Sequence, residues 1–572
     1  MTPTLSDRLA AHVLAGARSL GLPDDDAALT PTALAAHGDF QTNLAFRLAK
    51  ARGENPRALA ERFLAALPND PALVASATVA GPGFINFKVT EAALAADVGA
   101  RLGDDLGAPR PGVGKTLVID FSSPNVAKRM HIGHLRSTII GHALDGMFRF
   151  LGWRVIADNH IGDWGTQFGK LIVGWDRWRD DAAFAADPIG ELQRIYQRFG
   201  EIEDPDGELA TASRVATARL QAGDPELRAL WRRFVDASMV EFDAVYARLG
   251  VRFDAVLGES AYEAALAGIV EKLLADGLAE VSDGAVVVRL TADDGPGLGE
   301  APFLVRKADG AALYGTTDLA TVDHRLATWA PDLIAYVTDM RQQLHFRQLF
   351  AVCRRRGIQV PFQHVGFGLL RLPGGKTAST KSGVVLNLVD VLDEAVARAR
   401  AVVDQRSDTL SEDERAAIAE TVGVAALKYQ DLSQNPQSDI VFDWDKSLAL
   451  DGNTAPYLLY AHARCRSVLR RAGDAAPGPV VLVDPSEREL AMSVARTPDV
   501  IRQAAAAWRP NLLCDHLYGT TQAFSRFWER CRVVGDDVPA DVTASRLTLV
   551  TATATSLRTG LGLLGIRALD RM

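Results

Sequence analysis

The sequence predicts an α/β protein of several domains. A doubly wound parallel sheet with a helical insertion is preceded by a small α/β module and followed by an all-helical region. Three observations carry this. A strand-like run at Thr116–Phe121 leads through a turn into an apolar-periodic segment ending at Phe150, and a second strand-like run follows at Trp153–Ala157. Strand, helix, strand in that spacing is one half of a doubly wound sheet. The order returns in Leu333–Val337, Gln343–Arg356 and Phe362–Leu370. From Asp390 the apolar spacing is helical nearly to Met572, with a break at Gly473–Pro485.

Taken in order, residues 1–112 form the small α/β module. Helical periodicity through Leu5–Leu20 and Leu44–Leu67 flanks Gly38-Asp39-Phe40-Gln41-Thr42-Asn43. Strands are expected around Ala75–Val79 and Phe84–Val89, joined by Ala80-Gly81-Pro82-Gly83, a turn sequence with a mechanism. A linker rich in Gly and Pro leads into the main sheet, which is expected to occupy 113–390 with its helical insertion at about 170–300. A helical junction at 391–450 and a helical domain at 451–572 complete the order. The run Gly112-Val113-Gly114-Lys115-Thr116 imitates a phosphate-binding P-loop. Pro109 stands where that loop needs its first glycine, and a strand follows rather than a helix, so the run is set aside.

The chain has 572 residues, 48% of them hydrophobic, with a net charge of −9, so nucleic acid is not coated wholesale. From residue 451 onward, fifteen arginines and no lysine face twelve carboxylates. The C-terminal part is therefore mildly basic on an acidic protein, enough for a local phosphate-binding face. No basic leader and no bilayer-length apolar run are visible, and a cytoplasmic location is expected. Cys353, Cys465, Cys514 and Cys531 are too scattered for a disulfide framework or a zinc site.

The chemistry concentrates in Ser122-Ser123-Pro124-Asn125-Val126-Ala127-Lys128-Arg129-Met130-His131-Ile132-Gly133-His134. A strand ends, the chain turns and a helix starts, which is where an α/β fold offers backbone N–H groups to phosphate. His131 and His134 share one face of the first helical turn, with Gly133 expected to leave room for a ligand. Two imidazoles there can donate to charge developing on a transferring phosphoryl group.

His-Ile-Gly-His is similar to the signature of class I aminoacyl-tRNA synthetases. The longer string, with Leu135-Arg136-Ser137-Thr138 after it, resembles the arginyl-tRNA synthetases, and the resemblance extends over nearly the whole chain. It implies a Rossmann-like catalytic domain that activates L-arginine with ATP and charges the tRNA specific for arginine. Catalytic roles fall to His131, His134, Lys376 and Lys381, the lysines in a Gly-rich loop that departs from the usual Lys-Met-Ser-Lys-Ser. ATP would meet these four together with Gly133 and His345. Arginine would meet Tyr314 and Asp318, four apart on one helix face, with Glu259 as a second acid; a carboxylate accepts guanidinium in a fork and a ring stacks on its plane. Its amino and carboxyl groups would meet Ser123, Asn125 and Gln342.

By the same resemblance the N-terminal module touches tRNA through Asp39, Gln41, Asn43, Phe84 and Asn86. The helical domain does so through Tyr457, Tyr460, Arg464 and Arg466, since aromatics interleaved with arginines suit unstacked bases. ATP is expected to arrive with Mg2+, and no tightly bound protein metal is expected. A monomer is expected. The resemblance also implies that activation waits for bound tRNA. The rivals are a cysteinyl or lysyl enzyme of the same class and a non-catalytic RNA-binding paralogue. The first normally has a cysteine-rich zinc site and the second lacks such an N-terminal module, while a paralogue would have lost parts of the signature.

Overall fold

The computed structural model describes residues 3–23, 26–32, 35–202, 207–308, 310, 313–371, 387–406 and 410–572. They form two compact units. One is Gly112–Leu448 with Leu564–Ile566; the other is Met1–Pro111 with Ala449–Leu563 and Arg567–Met572.

The unit that begins the chain opens with α1 (Leu5–Ser19), where the Thr4 hydroxyl and the Asp7 carboxylate accept from each other's backbone N–H. β1 (Leu29–Pro31), β2 (Phe40–Thr42), β3 (Val74–Ala80) and β4 (Phe84–Val89) make an antiparallel sheet in the order β1-β2-β4-β3. The period expected to run from Leu44 to Leu67 is divided between α2 (Leu44–Arg52) and α3 (Pro56–Ala66). Gly53, at φ 67°, ends the first; Asn55 caps the second with Pro56 as its first residue. α4 (Glu91–Gly99) closes the module.

The other unit is built on a parallel sheet. β5 (Thr116–Asp120), α5 (Ile132–Phe150) and β6 (Arg154–Asn159) form its first half. Five helices follow: α6 (Thr166–Trp178), α7 (Asp181–Ala186), α8 (Pro188–Ile202), α9 (Glu208–Gln221) and α10 (Pro225–Leu249). β7 (Ala255–Val256) then rejoins the sheet beside β6. The insertion is largely helical, as expected, and also carries short strands. After α11 (Glu263–Ala275) come β8 (Glu280–Ser282), β9 (Ala285–Val288) and β10 (Phe303–Arg306), a small antiparallel sheet. Its hairpin turns at Asp283-Gly284, both at positive φ (49° and 79°), followed by a valine run.

α12 (Tyr314–Trp329), β11 (Leu333–Asp339), α13 (Gln343–Arg355) and β12 (Phe362–Phe367) make the second half. The strand order is β12-β11-β5-β6-β7. β5 and β11 lie side by side and the chain leaves them in opposite directions, the reversal at which an open sheet has a crevice beyond its carboxyl ends. The strand expected to reach Leu370 stops at Gly368, where a Cβ would stand 2.5 Å from the Ser438 carbonyl oxygen. β13 (Leu370–Arg371) then departs to pair with a later strand. α14 (Leu388–Arg406), α15 (Glu412–Leu432), that partner β14 (Ile440–Val441) and α16 (Trp444–Ser447) follow.

The chain returns to the first-described unit through α17 (Ala455–Arg471), α18 (Pro485–Ala507), α19 (Asn511–Arg530) and α20 (Ala540–Leu563). These helices share one apolar core with the N-terminal module, running from Leu9, Phe63 and Phe87 to Leu490, Phe524 and Val550.

Candidate active site

Between β5 and α5 three non-glycine residues sit at positive φ: Ser122 (75°), Ser123 (51°) and Ala127 (61°). Such backbone costs on the order of 1–3 kcal/mol per residue and persists only where the surroundings over-determine it. Here they do. The Ser122 N–H donates to Ser137 Oγ (2.9 Å), and the Ser122 hydroxyl lies 2.8 Å from the Tyr246 hydroxyl and accepts from Thr138 Oγ1. The Ser123 N–H donates to Asn159 Oδ1 and its hydroxyl to Asp120 Oδ1, both at 3.0 Å. The Ala127 N–H donates to Ser238 Oγ. The turn is also stitched to the loop after β6, since Val126 N–H donates to the Gly162 carbonyl and Gly162 N–H to that of Pro124. Asn125 is exposed beside Gly162, where a Cβ would come within 2.2 Å of its Oδ1.

The histidines cap the helix they begin. His131 Nδ1 accepts from the Gly133 N–H at 3.0 Å, and His134 Nδ1 accepts from the His131 N–H at 3.1 Å. A backbone N–H can only donate, so each Nδ1 holds a lone pair and each neutral ring carries its proton on Nε2. Burial lowers the His131 pKa, with help from Lys128, and brings His134 down to about 3, with help from His131. The result is two neutral Nε2–H donors with ring centroids 4.0 Å apart. Gly133 was expected to leave room for a ligand. Its missing side chain instead makes room for the His131 ring, because a Cβ would stand 2.7 Å from it.

A second cluster gathers carboxylates. Tyr314 begins α12 and is 74% exposed; Asp318 lies one turn on, with Oδ2 at 2.5 Å from His345 Nε2 on α13. His345, expected toward the nucleotide, thus contacts Asp318, and its ring is stacked on Phe303. Glu259 follows β7 and has no hydrogen-bonded cation among the described residues. Its pKa is pushed up to about 8 by burial first, then by Asp163 and Asp318. Burial and the charge of Glu259 likewise raise Tyr314. Asp163 was not singled out from the sequence. It is buried, its carboxylate accepts from both Ser260 N–H (2.9 Å) and Ser260 Oγ (2.6 Å), and Gly258 is bare against it. Its signal was an acid in the loop closing the second strand of a half-sheet.

Gln342 is exposed in the short turn between β11 and α13, which Asp339 caps by accepting from the Arg341 N–H. Lys376 and Lys381 lie outside the described residues. The flanking backbone meets the signature turn: Leu388 N–H donates to the Met130 carbonyl and Asn387 forms a β-bridge with His131.

The residues expected to meet tRNA are divided by their packing. The Asp39 carboxylate is engaged within the protein. Its two oxygens accept a fork from Arg488, both at 2.8 Å, and one also accepts from the Val89 N–H. Asn86 is buried and faces Gln41, itself half-buried, in strand register; Phe84 stacks on Phe46. Asn43 precedes α2 without capping it, and its Oδ1 is buried without a hydrogen-bond partner among the described residues. Tyr457 packs edge-on against Tyr518 and reaches Ser525, and Arg466 is held by Asp570, so both serve the helical domain itself. Tyr460 is 45% exposed, with the Arg464 guanidinium 4.8 Å from its ring centroid.

A parallel sheet with a capped histidine pair at the helix after its central strand is the architecture of a class I aminoacyl-tRNA synthetase. Family models agree along the chain: "tRNA synthetases class I (R), catalytic domain" matches residues 102–444, "DALR anticodon binding domain" 458–572 and "Arginyl tRNA synthetase N terminal domain" 5–89. The arginine–tRNA ligase of Chloroflexus aurantiacus is 45% identical over 544 residues, 93% of each chain. The chain belongs to the arginyl-tRNA synthetase family. In fold it is similar to the arginyl-tRNA synthetase of Thermus thermophilus, with TM-score 0.85 and 24% identity over 99% of this chain and 100% of that one. The Plasmodium falciparum enzyme gives TM-score 0.84 and 24% identity over the whole of both.

Proposed function

We propose that the chain converts L-arginine and ATP to arginyl-adenylate and pyrophosphate, and then transfers the arginyl group to the 3′-terminal ribose of its tRNA. The arginine carboxylate attacks the α-phosphorus in line, and catalysis is by positioning and charge stabilisation. The Nε2–H groups of His131 and His134 donate to charge growing on the phosphate, aided by the positive end of the α5 dipole. Asp318 and Glu259 receive the guanidinium, Tyr314 covers its plane, and His345 buttresses Asp318. Ser123, Asn125 and Gln342 take the amino and carboxyl groups. Lys376 and Lys381 offset charge on the outer phosphates of ATP, which arrives with Mg2+. On the tRNA side, Tyr460 with Arg464 is the pair best placed to stack on an unpaired base. The protein acts in the cytoplasm as a monomer.

The observation that carries this reading is the grouping of Asp163, Asp318 and Tyr314 around Glu259, each within its electrostatic reach, with Asp318 bonded to the His345 ring at 2.5 Å. Three acids with one imidazole ask for a cation, and the exposed ring asks for a planar one. ATP–pyrophosphate exchange with each amino acid, with and without tRNA, tests it. Arginine alone should support exchange, and only after tRNA specific for arginine is added. Exchange with lysine, or with no amino acid in the presence of tRNA, would overturn the reading.

A further inference from the structure

Arg325 lies seven residues beyond Asp318 on α12, two turns along the same face. It is wholly buried. Its NH2 donates to Asp120 Oδ2 at 2.5 Å and to Asp158 Oδ2 at 2.7 Å, while its Nε donates to the same Asp158 oxygen at 3.0 Å. The Tyr336 ring lies against the guanidinium, 5.2 Å from its centroid. Asp120 and Asp158 are register partners at the carboxyl ends of β5 and β6. Two carboxylates on neighbouring strands repel unless a cation stands between them, and the planar guanidinium holds both in a fixed geometry, with Nε as a further donor, that a flexible ammonium does not reproduce.

The other oxygen of Asp120 leads to the site: Oδ1 accepts the Ser123 hydroxyl at 3.0 Å, in the turn where Ser123 is held at positive φ. Asn159, next to Asp158, accepts the Ser123 N–H. One helix therefore carries Tyr314 and Asp318 at its start and, two turns on, the clamp behind Ser123. The two ends of the amino-acid site are measured off along α12.

We propose that Arg325 is a positioning residue for the amino end of the substrate: through Asp120 it fixes Ser123 relative to Asp318, and so sets the side-chain length the site accepts. This rests on the reading that Ser123 meets the α-amino group. Removing the fork leaves both aspartates and the serine in place but loosens their spacing, so arginine loses binding and a homologue one methylene longer loses less.

The test uses Arg325→Lys, Asp120→Asn and Ser123→Ala in tRNA-supported pyrophosphate exchange, with L-arginine and L-homoarginine as substrates. Arg325→Lys should raise KM for arginine about tenfold, leave KM for ATP within about twofold, and narrow the preference for arginine over homoarginine by about fivefold. Asp120→Asn should act in the same direction, which keeps the test open if the lysine variant does not fold. The Arg325→Lys/Ser123→Ala double variant should be no worse than the poorer single one, because both act on one contact. A parallel fall in kcat for both amino acids at unchanged preference would mean a merely structural arginine and overturn the inference. An altered KM in Ser123→Ala without one in either clamp variant would overturn it while leaving the site reading intact. An unchanged KM in Ser123→Ala would remove the site reading and the inference with it.

Discussion

The turn before α5 and the surface of α17 both looked functional in the sequence, yet they use polar side chains in opposite ways. At the turn the conspicuous residues are presented and inconspicuous ones support them: Ser137, Thr138, Asn159, Tyr246 and Ser238 hold Ser122, Ser123 and Ala127 in strained backbone. Around α17 several conspicuous residues are themselves the supports, as Tyr457 packs on Tyr518 and Arg466 holds Asp570. The difference teaches that a motif is trustworthy in proportion to how far its backbone geometry is fixed. A strand-turn-helix has one way to point its histidines, whereas a helix carrying aromatics and arginines at many positions can turn any of them inward.

The comparison breaks first at Asp318. If the acids of the catalytic unit are presented to substrate, Asp318→Ala leaves a guanidinium without its partner and costs roughly 3–5 kcal/mol of arginine binding. Calorimetric titration checks this, and an affinity within about twofold of wild type would move the pocket elsewhere. The histidines come next. His131→Asn keeps a good helix cap but removes the Nε2–H donor, so activation should fall about a hundredfold while the melting temperature barely moves. Single-turnover adenylate formation separates the two roles; an unchanged rate would leave His131 a cap only.

A smaller effect follows from Glu259, whose carboxyl is raised to about 8 by burial, then Asp163 and Asp318. Its charged form is the one that receives a cation. Above pH 8 it is already ionised; below, arginine must displace a proton, so apparent affinity should weaken about tenfold between pH 9 and pH 7. Calorimetry in buffers of different ionisation enthalpy should register release of about one proton per arginine at pH 7. The sign for folding is the reverse. Because the folded pKa is raised, Glu259 costs stability progressively as pH rises from its ordinary range through 8, and bound arginine should restore more of the melting temperature at pH 9 than at pH 6. Proton-independent binding would show that Glu259 does not meet the guanidinium.

The alternation of strands and helices was legible because apolar periods survive folding; β5, β6, β11 and α13 lie within a few residues of where the pattern puts them. The small sheet in the insertion was hidden by its short strands, although the Asp283-Gly284 turn before three valines announced it. The departure of β13 was hidden for another reason. What ends the strand is Ser438, seventy residues away, closing on Gly368, and no local pattern reports a distant neighbour. In the site the motif residues were legible as chemistry, while Asp163 and Arg325 carry no motif and gain their meaning from burial.

The smallest effect is the sharpest test of the contrast, because it pits two residues of one unit against each other. Asp39 belongs to a family-like string, yet its carboxylate is taken up by the Arg488 fork and the Val89 N–H. Asp39→Asn should therefore lower stability by about 1–3 kcal/mol, as the loss of a largely buried charged partner does, and leave KM for tRNA unchanged. Tyr460 is 45% exposed, with Arg464 over its ring and donating to its hydroxyl at 2.9 Å. Tyr460→Ala should leave the melting temperature within about a degree and raise KM for tRNA several-fold, since stacking on one base is worth about 1–3 kcal/mol before solvent competition. Exchange of these outcomes, with tRNA affinity moving in Asp39→Asn and stability in Tyr460→Ala, would reverse the assignment. It would mean that the string, rather than the packing around it, was the better guide to the RNA face.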